Sequence, residues 1–272
     1  MTPTLSPFEL FAFIWPRILV MDVARYVIAT ALISAIVAAV MASAWAVRRI
    51  QSRRAGRTDY RREILTSLRT AVVFSLVGSL IFVGQNIGVM PAALPWSWGT
   101  GLLTLAAMLL AHDTYFYWTH RALHHRRLFR RVHLTHHQSI TPTPFTAYAF
   151  SVPEALVQAV FVPLWLMFVP MPLPALAAFM MVMILRNAWG HAGVEMHPRG
   201  MADHPVFGLL TTTLHHDLHH AGEFNCNFGL YFTWWDRIMG TEHPEYRRRF
   251  RDITERSPAP HAGKALGEPS AQ

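Results

Sequence analysis

The chain has 272 residues, 52% of them apolar, a mean hydropathy of +0.24 and only 15% charged side chains. Soluble domains carry about 25% charged residues, so the shortfall argues against a water-soluble domain and for the bilayer. The net charge of +8 is almost wholly arginine, with Lys264 the only lysine, and in so apolar a chain it points to lipid headgroups; no nucleic-acid partner is expected.

In chain order, Phe8 to Ile14, with Trp15 and Arg17 behind it, reads as a segment lying flat at the membrane interface. Tyr26 to Val47 is an apolar stretch of spanning length, too long for a cleavable signal peptide and not preceded by a basic region. Arg48, Arg49, Arg53, Arg54, Arg57, Arg61 and Arg62 follow, and the positive-inside rule makes that loop cytoplasmic. A second span, Thr70 to Gly88, leads to an uncharged Pro/Trp-marked turn over Met90 to Trp96. A third returns from Trp98 to Leu110 and continues helically through Tyr115 and Trp118, ending near the basic run Arg126 to Arg131. The aromatic run Tyr115 to Trp118 reads as an interfacial belt.

Phe145 to Trp189 is broken by Pro163, Pro170, Pro172 and Pro174 and reads as a hairpin turning at Val169 to Pro172. Its second arm is short, so a tilted or re-entrant hairpin is one reading and a full crossing the other. Ser257 to Gln272 is rich in Pro, Gly and Ala and is expected to be disordered. The expected architecture is all-α: a polytopic transmembrane bundle of four to five spans under a histidine-rich cytosolic helical cap. Three regions follow: 1–99, membrane segments with a basic loop; 100–243, the histidine-bearing unit with its membrane hairpin over 145–189; and 244–272, a basic and then disordered tail. An integral protein of a bacterial inner membrane is expected, with the histidines and the C-terminus on the cytoplasmic side.

Fourteen of the sixteen histidines fall between His112 and His220. They group as His120 and His124, then His133, His136 and His137, then His216, His219 and His220. These spacings follow the helical i, i+3, i+4 interval, which aims side chains from one face at a single point. Eight imidazoles exceed the coordination of one ion and suit two, and His191 is a ninth candidate ligand. His112, Asp113, Asn187, His197, His215 and Asp217 are candidates to orient the ligands from behind, and Asp217 reads equally well as a solvated helix residue. His125 and His215 are expected to point away from their neighbours. His204 carries no assignment, and His243 and His261 are expected to be solvated. Cys226, the single cysteine, excludes a disulfide framework and any cysteine-ligated zinc or iron–sulfur site; it reads as a small packed residue.

Imidazole suits zinc, copper and iron alike, so ligand type alone does not choose the metal. The H-E-x-x-H signature of metalloproteases and the Glu-x-x-His pattern of soluble di-iron bundles are both absent. An all-histidine pair beside a membrane fits oxygen activation best, because unactivated C–H bonds need an oxidant that side-chain acids and bases cannot supply. The alternatives are a membrane zinc hydrolase, a metal transport or storage protein, and a purely structural metal site.

The three boxes, the flanking Tyr117-Trp118-Thr119-His120-Arg121, the later Asn227-Phe228-Gly229 and the run Trp235 to Thr241 resemble the fatty acid hydroxylase/sterol desaturase superfamily. The likeness covers roughly Leu110 to Thr241. It implies an integral-membrane non-haem di-iron enzyme with two iron ions as cofactor and O2 as co-substrate, which hydroxylates or desaturates a membrane lipid. A helical cap holding the metals over the bundle is also implied. With no cytochrome b5-like domain apparent, the electrons are expected from an external electron-transfer protein or reductase. Arg121 and the Arg126 to Arg131 run would serve topology first and headgroup or donor contacts second.

Overall fold

A computed structural model describes residues 5–222 and 224–257 of the chain; His261 and the expected disordered tail beyond Ser257 lie outside them. Among the described residues every regular element is helical. Helix α1 (Pro7–Met41) starts at a capping box in which Ser6 and Glu9 satisfy each other's backbone N–H groups, with Pro7 in the first turn. It runs without a break through Pro16, so the expected interfacial segment Phe8 to Ile14 is instead the first turns of this helix. At about 1.5 Å per residue its 35 residues exceed the ~30 Å hydrocarbon thickness, so its ends project beyond it.

Helix α2 (Arg57–Asn86) returns beside α1, and α3 (Trp98–Leu123) follows the turn over 87–97. Ser97 caps α3 by accepting from the Thr100 N–H. Gly101 is required there: a Cβ would stand 2.4 Å from the Trp96 ring that folds over the first turn. Two single-turn helices, α4 (Phe129–Val132) and α5 (Leu134–His137), lead to a buried 3₁₀ turn, Pro144–Tyr148. The hairpin's first arm begins only after that turn and is split into α6 (Val152–Ala159) and α7 (Phe161–Phe168). Its second arm is α8 (Leu173–Gly190), with the reversal at the predicted prolines.

Helices α1, α2 and α8 are long and apolar enough to cross a membrane. The predicted four to five spans are reached only by adding α3 and the α6–α7 pair. Glycine and threonine at its start and His112-Asp113 near its centre make α3 less apolar than its length suggests. Only 22% of the most apolar stretch of α1 is buried, and Val20, Met21, Ile28 and Leu32 face outward, as lipid contact requires. The chain is an integral membrane helical bundle.

One core joins Tyr26, Ile33, Phe74, Tyr148 and Ile184, and a second joins Ile81, Met108, Phe161 and Phe179. At the far end of the bundle the Leu94 N–H donates to Met171 O, tying the two turns together. At the other end sits the cap. There α9 (Thr213–His220), α10 (Trp234–Ile238) and α11 (Tyr246–Thr254) complete the chain. Helix α11 falls in the expected tail region 244–272, yet Tyr246, Phe250 and Ile253 pack with Leu214 and Leu218 to form the core of the cap. Its arginines face outward, and the spacing of those three apolar residues was the signal for a docked helix.

Candidate metal centre

Each histidine box is placed by local structure. On α9, Thr212 caps the helix through the His215 N–H, and the 3.6-residue period puts His216, His219 and His220 on the face toward the bundle. His215 takes the opposite side, against Tyr246 and 3.6 Å from Asp236. The second box is not one helix: His133 sits at the joint between α4 and α5, and His136 and His137 end α5. His120 and His124 close α3, and His191 closes α8.

All nine predicted ligand candidates come together, in two groups rather than at a single point. His120, His124, His133, His137 and His219 form one group; His136, His191, His216 and His220 form the other. Within each group one nitrogen per ring lies within 4.8 Å of every other, and all nine rings are buried. Both three-histidine boxes divide between the groups. The groups adjoin, with the His137 and His220 ring centroids 4.7 Å apart.

Hydrogen bonding fixes several tautomers. His120 Nδ1–H donates to Phe228 O at 3.0 Å, His219 Nδ1–H to Cys226 O at 2.7 Å, and His191 Nδ1–H to Asn187 O at 2.7 Å. His133 Nδ1 lies 2.7 Å from Glu154 Oε1. A carbonyl can only accept, so each of the first three rings carries its proton outward and turns a bare Nε2 lone pair toward the interior. The His120 and His133 Nε2 atoms face each other at 3.0 Å, and those of His191 and His216 also at 3.0 Å. His219 Nε2, Nδ1 of His124, His136 and His137, and both His220 nitrogens are buried without a partner. Burial, reinforced by neighbouring imidazoles, holds His133, His136, His137, His216, His219 and His220 well below the usual histidine range, leaving them neutral. Each neutral ring keeps one lone pair. Where Nε2 faces Nε2, as in His120–His133, His124–His137 and His191–His216, leaving such buried lone pairs unmet costs about 1–3 kcal/mol each, whereas cations between the facing atoms would satisfy them. The donor set therefore fits two imidazole-ligated metal ions.

The residues expected to orient the ligands behave differently. Asp113 accepts from the Tyr231 and Phe232 N–H groups and from Trp234 Nε1–H, so it pins the 231–234 segment to α3 and bonds no ligand ring. His112 bonds the Tyr231 hydroxyl at 2.9 Å and packs among Phe116, Phe161 and Phe179, away from both groups. Asn187 orients His191 through its backbone carbonyl, while its amide donates to Ala147 O. His197 pairs with Glu195 at 2.5 Å, and Asp217 accepts from Gln51 Nε2. Asp217 is buried rather than solvated, which lifts its carboxyl to about 7. His215 bonds no ligand ring either; burial lowers it to about 3. His125 is exposed as expected, whereas His243 is buried, its backbone N–H held by Asn227 Oδ1.

Sequence reasoning missed Glu154, an acid in the first turn of α6 that stands against His133. It also missed Asp236, which accepts from the Phe228 and Gly229 N–H groups at 2.9 Å and so fixes the carbonyl that holds His120. Gly229 permits that turn: a Cβ would meet Phe232 O at 2.3 Å. Asn227, at φ 56°, is the one described non-glycine residue with left-handed backbone, and it shapes the same turn. The Asn-Phe-Gly and Trp-Asp-Arg runs were the sequence signal for this support.

Below the nine rings an apolar cavity of about 320 Å³ runs between α1, α2, α3, α7 and α8. Phe116, Phe150 and Asn187 close it on the histidine side, and Pro91, Pro170 and Met171 line its far end. Phe116 stands 5.1 Å from the His120 ring, and Phe150 stands 5.2 Å from His136. The predicted aromatic belt is thus divided: Phe116 faces the cavity, Tyr117 is buried on Thr241, and Trp118 is exposed.

A paired, all-imidazole site at the end of a membrane bundle, next to an apolar cavity, defines a class of membrane protein able to hold metal ions. The fatty acid hydroxylase family model matches residues 105–241, half of the chain, and the chain belongs to that family. It is 33% identical over 147 residues to a Delta(7)-sterol 5(6)-desaturase of Gibberella zeae, covering 54% of this chain and 43% of that protein. Lathosterol oxidase of Rattus norvegicus is 32% identical over 152 residues, 55% of this chain and 48% of the relative. A very-long-chain aldehyde decarbonylase of Arabidopsis thaliana is 30% identical over 172 residues, 60% and 27% respectively. The chain spans about half the length, or less, of the curated relatives it matches. No solved structure matches it.

Proposed function

We propose that the chain is a membrane-bound, non-haem di-iron enzyme that uses O2 to hydroxylate or desaturate a C–H bond of a sterol-like or fatty-acyl lipid. The observation that carries this reading is the junction of the two imidazole groups with the closed end of the apolar cavity, bridged by Phe116, Phe150 and Asn187. His120, His124, His133, His137 and His219 would hold one iron, and His136, His191, His216 and His220 the other. The relatives' names, sterol desaturase, lathosterol oxidase and aldehyde decarbonylase, support a lipid as the substrate.

A bound iron pair supplies the O2-derived oxidant that a hydrocarbon C–H bond demands and that acids and bases cannot provide. The protein's residues do the rest. Carbonyls of Phe228, Cys226 and Asn187 hold imidazole protons outward, so that the ring lone pairs stay aimed inward. The apolar walls exclude water and lay the substrate chain against the phenylalanines under the rings.

Electrons would come from an external electron-transfer protein or reductase. The exposed Arg126, Arg127, Arg130 and Arg131 next to the first box offer an acidic donor a docking face. The arginine loops at the cap end favour a cytoplasmic cap on a bacterial inner membrane. Hydrolytic zinc sites usually mix a carboxylate among their ligands, and both groups here are purely imidazole.

Expression in oxic and anoxic cultures, with lipid analysis beside a His136→Ala control, tests the function. A new hydroxylated or desaturated lipid is expected only in the oxic wild-type culture. Its appearance without O2, or in the control, would overturn the reading.

A further inference from the structure

The cavity is mostly apolar; its polar lining is Gln85, His112, Gln158, Asn187 and a knot of three groups that the metal centre does not use. Asp22 and Arg25, one turn apart on α1, form an ion pair that lines it, and Tyr148 from the 3₁₀ turn lines it beside them. Charged residues inside an apolar spanning helix are expensive and mark functional sites by default. Asp22 is 4% exposed and Tyr148 0%, so this pair does not look out to water. The bonding within the knot is incomplete. Arg25 Nε and the Tyr148 hydroxyl are buried without a hydrogen bond of good geometry, although the Arg25 guanidinium lies near enough to act on that hydroxyl as a charge and as a weak donor. A purely hydrocarbon ligand would leave both unmet.

We propose that Tyr148 and the Asp22–Arg25 pair form a recognition site for the hydroxyl of a neutral lipid alcohol whose hydrocarbon body fills the cavity. This rests on the lipid-oxidising reading for placing the substrate there, and it names the substrate's polar group. The charge balance selects a neutral partner. Arg25 already spends its charge on Asp22, whose carboxylate would repel a fatty-acid or phosphate anion, while one N–H and one phenol O–H remain to meet a single oxygen. Location adds a consequence. The Tyr148 ring stands 6.4 Å from Phe150, and Phe150 stands 5.2 Å from His136. Two ring contacts therefore separate Tyr148 from the His136 imidazole. Asp22 and Arg25 precede the segment that carries the family match, whereas Tyr148 lies within it.

Equilibrium binding to the full-length protein in lipid nanodiscs under anoxia tests this without turnover. The probes are cholesterol against cholestane, hexadecan-1-ol against hexadecane, and hexadecanoate at pH 8. The alcohol is expected to bind about tenfold tighter than the hydrocarbon on at least one skeleton, as one hydrogen bond to a charged donor provides. Hexadecanoate should bind more weakly than hexadecan-1-ol. Tyr148→Phe, which keeps the ring packing, and Arg25→Lys, which keeps the ion pair but loses Nε–H, should each reduce the preference to about threefold or less. Equal binding of alcohol and hydrocarbon on both skeletons, tighter binding of the carboxylate, or an undiminished preference in both variants would overturn the proposal. Iron content is measured on the same samples: absent iron with the hydroxyl preference intact sinks the metal reading and leaves this one standing.

Discussion

The five-histidine and four-histidine groups are drawn from the same boxes yet are supported unequally. Three rings of the larger group are braced from behind, by Phe228 O, Cys226 O and Glu154, and the Phe228 turn is itself clamped by Asp236. In the smaller group only His191 has such a brace, from Asn187 O, while His136 Nδ1 and both His220 nitrogens have none. Bracing lowers the cost of ordering a ligand and raises its basicity. The larger group is thus preorganised by the protein, whereas the smaller one would depend more on a bound ion to order it. The difference teaches that similar ligand counts, five and four, can conceal two groups of unequal support.

The hardest blow to the comparison is His219→Ala, which removes a braced ligand. Product formation should be abolished, and iron in the purified chain should fall to about one per chain, read by elemental analysis. Gly229→Ala strikes the support instead. The new Cβ would displace Phe232 O or the Phe228 turn, costing about 1–3 kcal/mol and lowering the unfolding midpoint, with iron lost from the larger group first. A finer probe is Glu154→Gln, which keeps an oxygen near His133 but removes the carboxylate. Metal affinity of the larger group should drop about 10–100-fold with the smaller group unchanged, measured by competition with a chelator. In the wild type, graded chelation should empty the smaller group first, giving two release phases; one phase would erase the distinction between the groups. The mildest change, His125→Ala at an exposed ring, should leave iron content and product within error.

Eight of the nine rings were legible because helical spacing is local: each box announces a face, and the ordered set of boxes points to shared chemistry. His191 belongs to no box and was legible only from its place at the end of the hairpin's second arm. What spacing could not reveal is how a face is divided. The joint between α4 and α5 sends His133 and His137 one way and His136 the other, a feature of backbone geometry that H-x-x-H-H does not encode. Groups that brace ligands through backbone carbonyls were illegible for the same reason, since every residue has a carbonyl. Side-chain candidates chosen by proximity in sequence, Asp113 and Asp217 among them, were drawn into other bonds. In the bundle, apolar run length located α8 and the end of α2 well but missed the first turns of α2, where the arginines of 57–62 stand. It misplaced the start of α1, because a capping box at Ser6 lets a sequence with interfacial character continue one long helix. The Asp22–Arg25 pair went unremarked because only the fold shows that it faces inward.

The most direct measurement is the metal content and identity of the full-length chain purified in detergent without added metal. The account predicts two irons per chain, retained through gel filtration. A stoichiometric content of zinc, or iron that never exceeds one per chain at full occupancy, would contradict it.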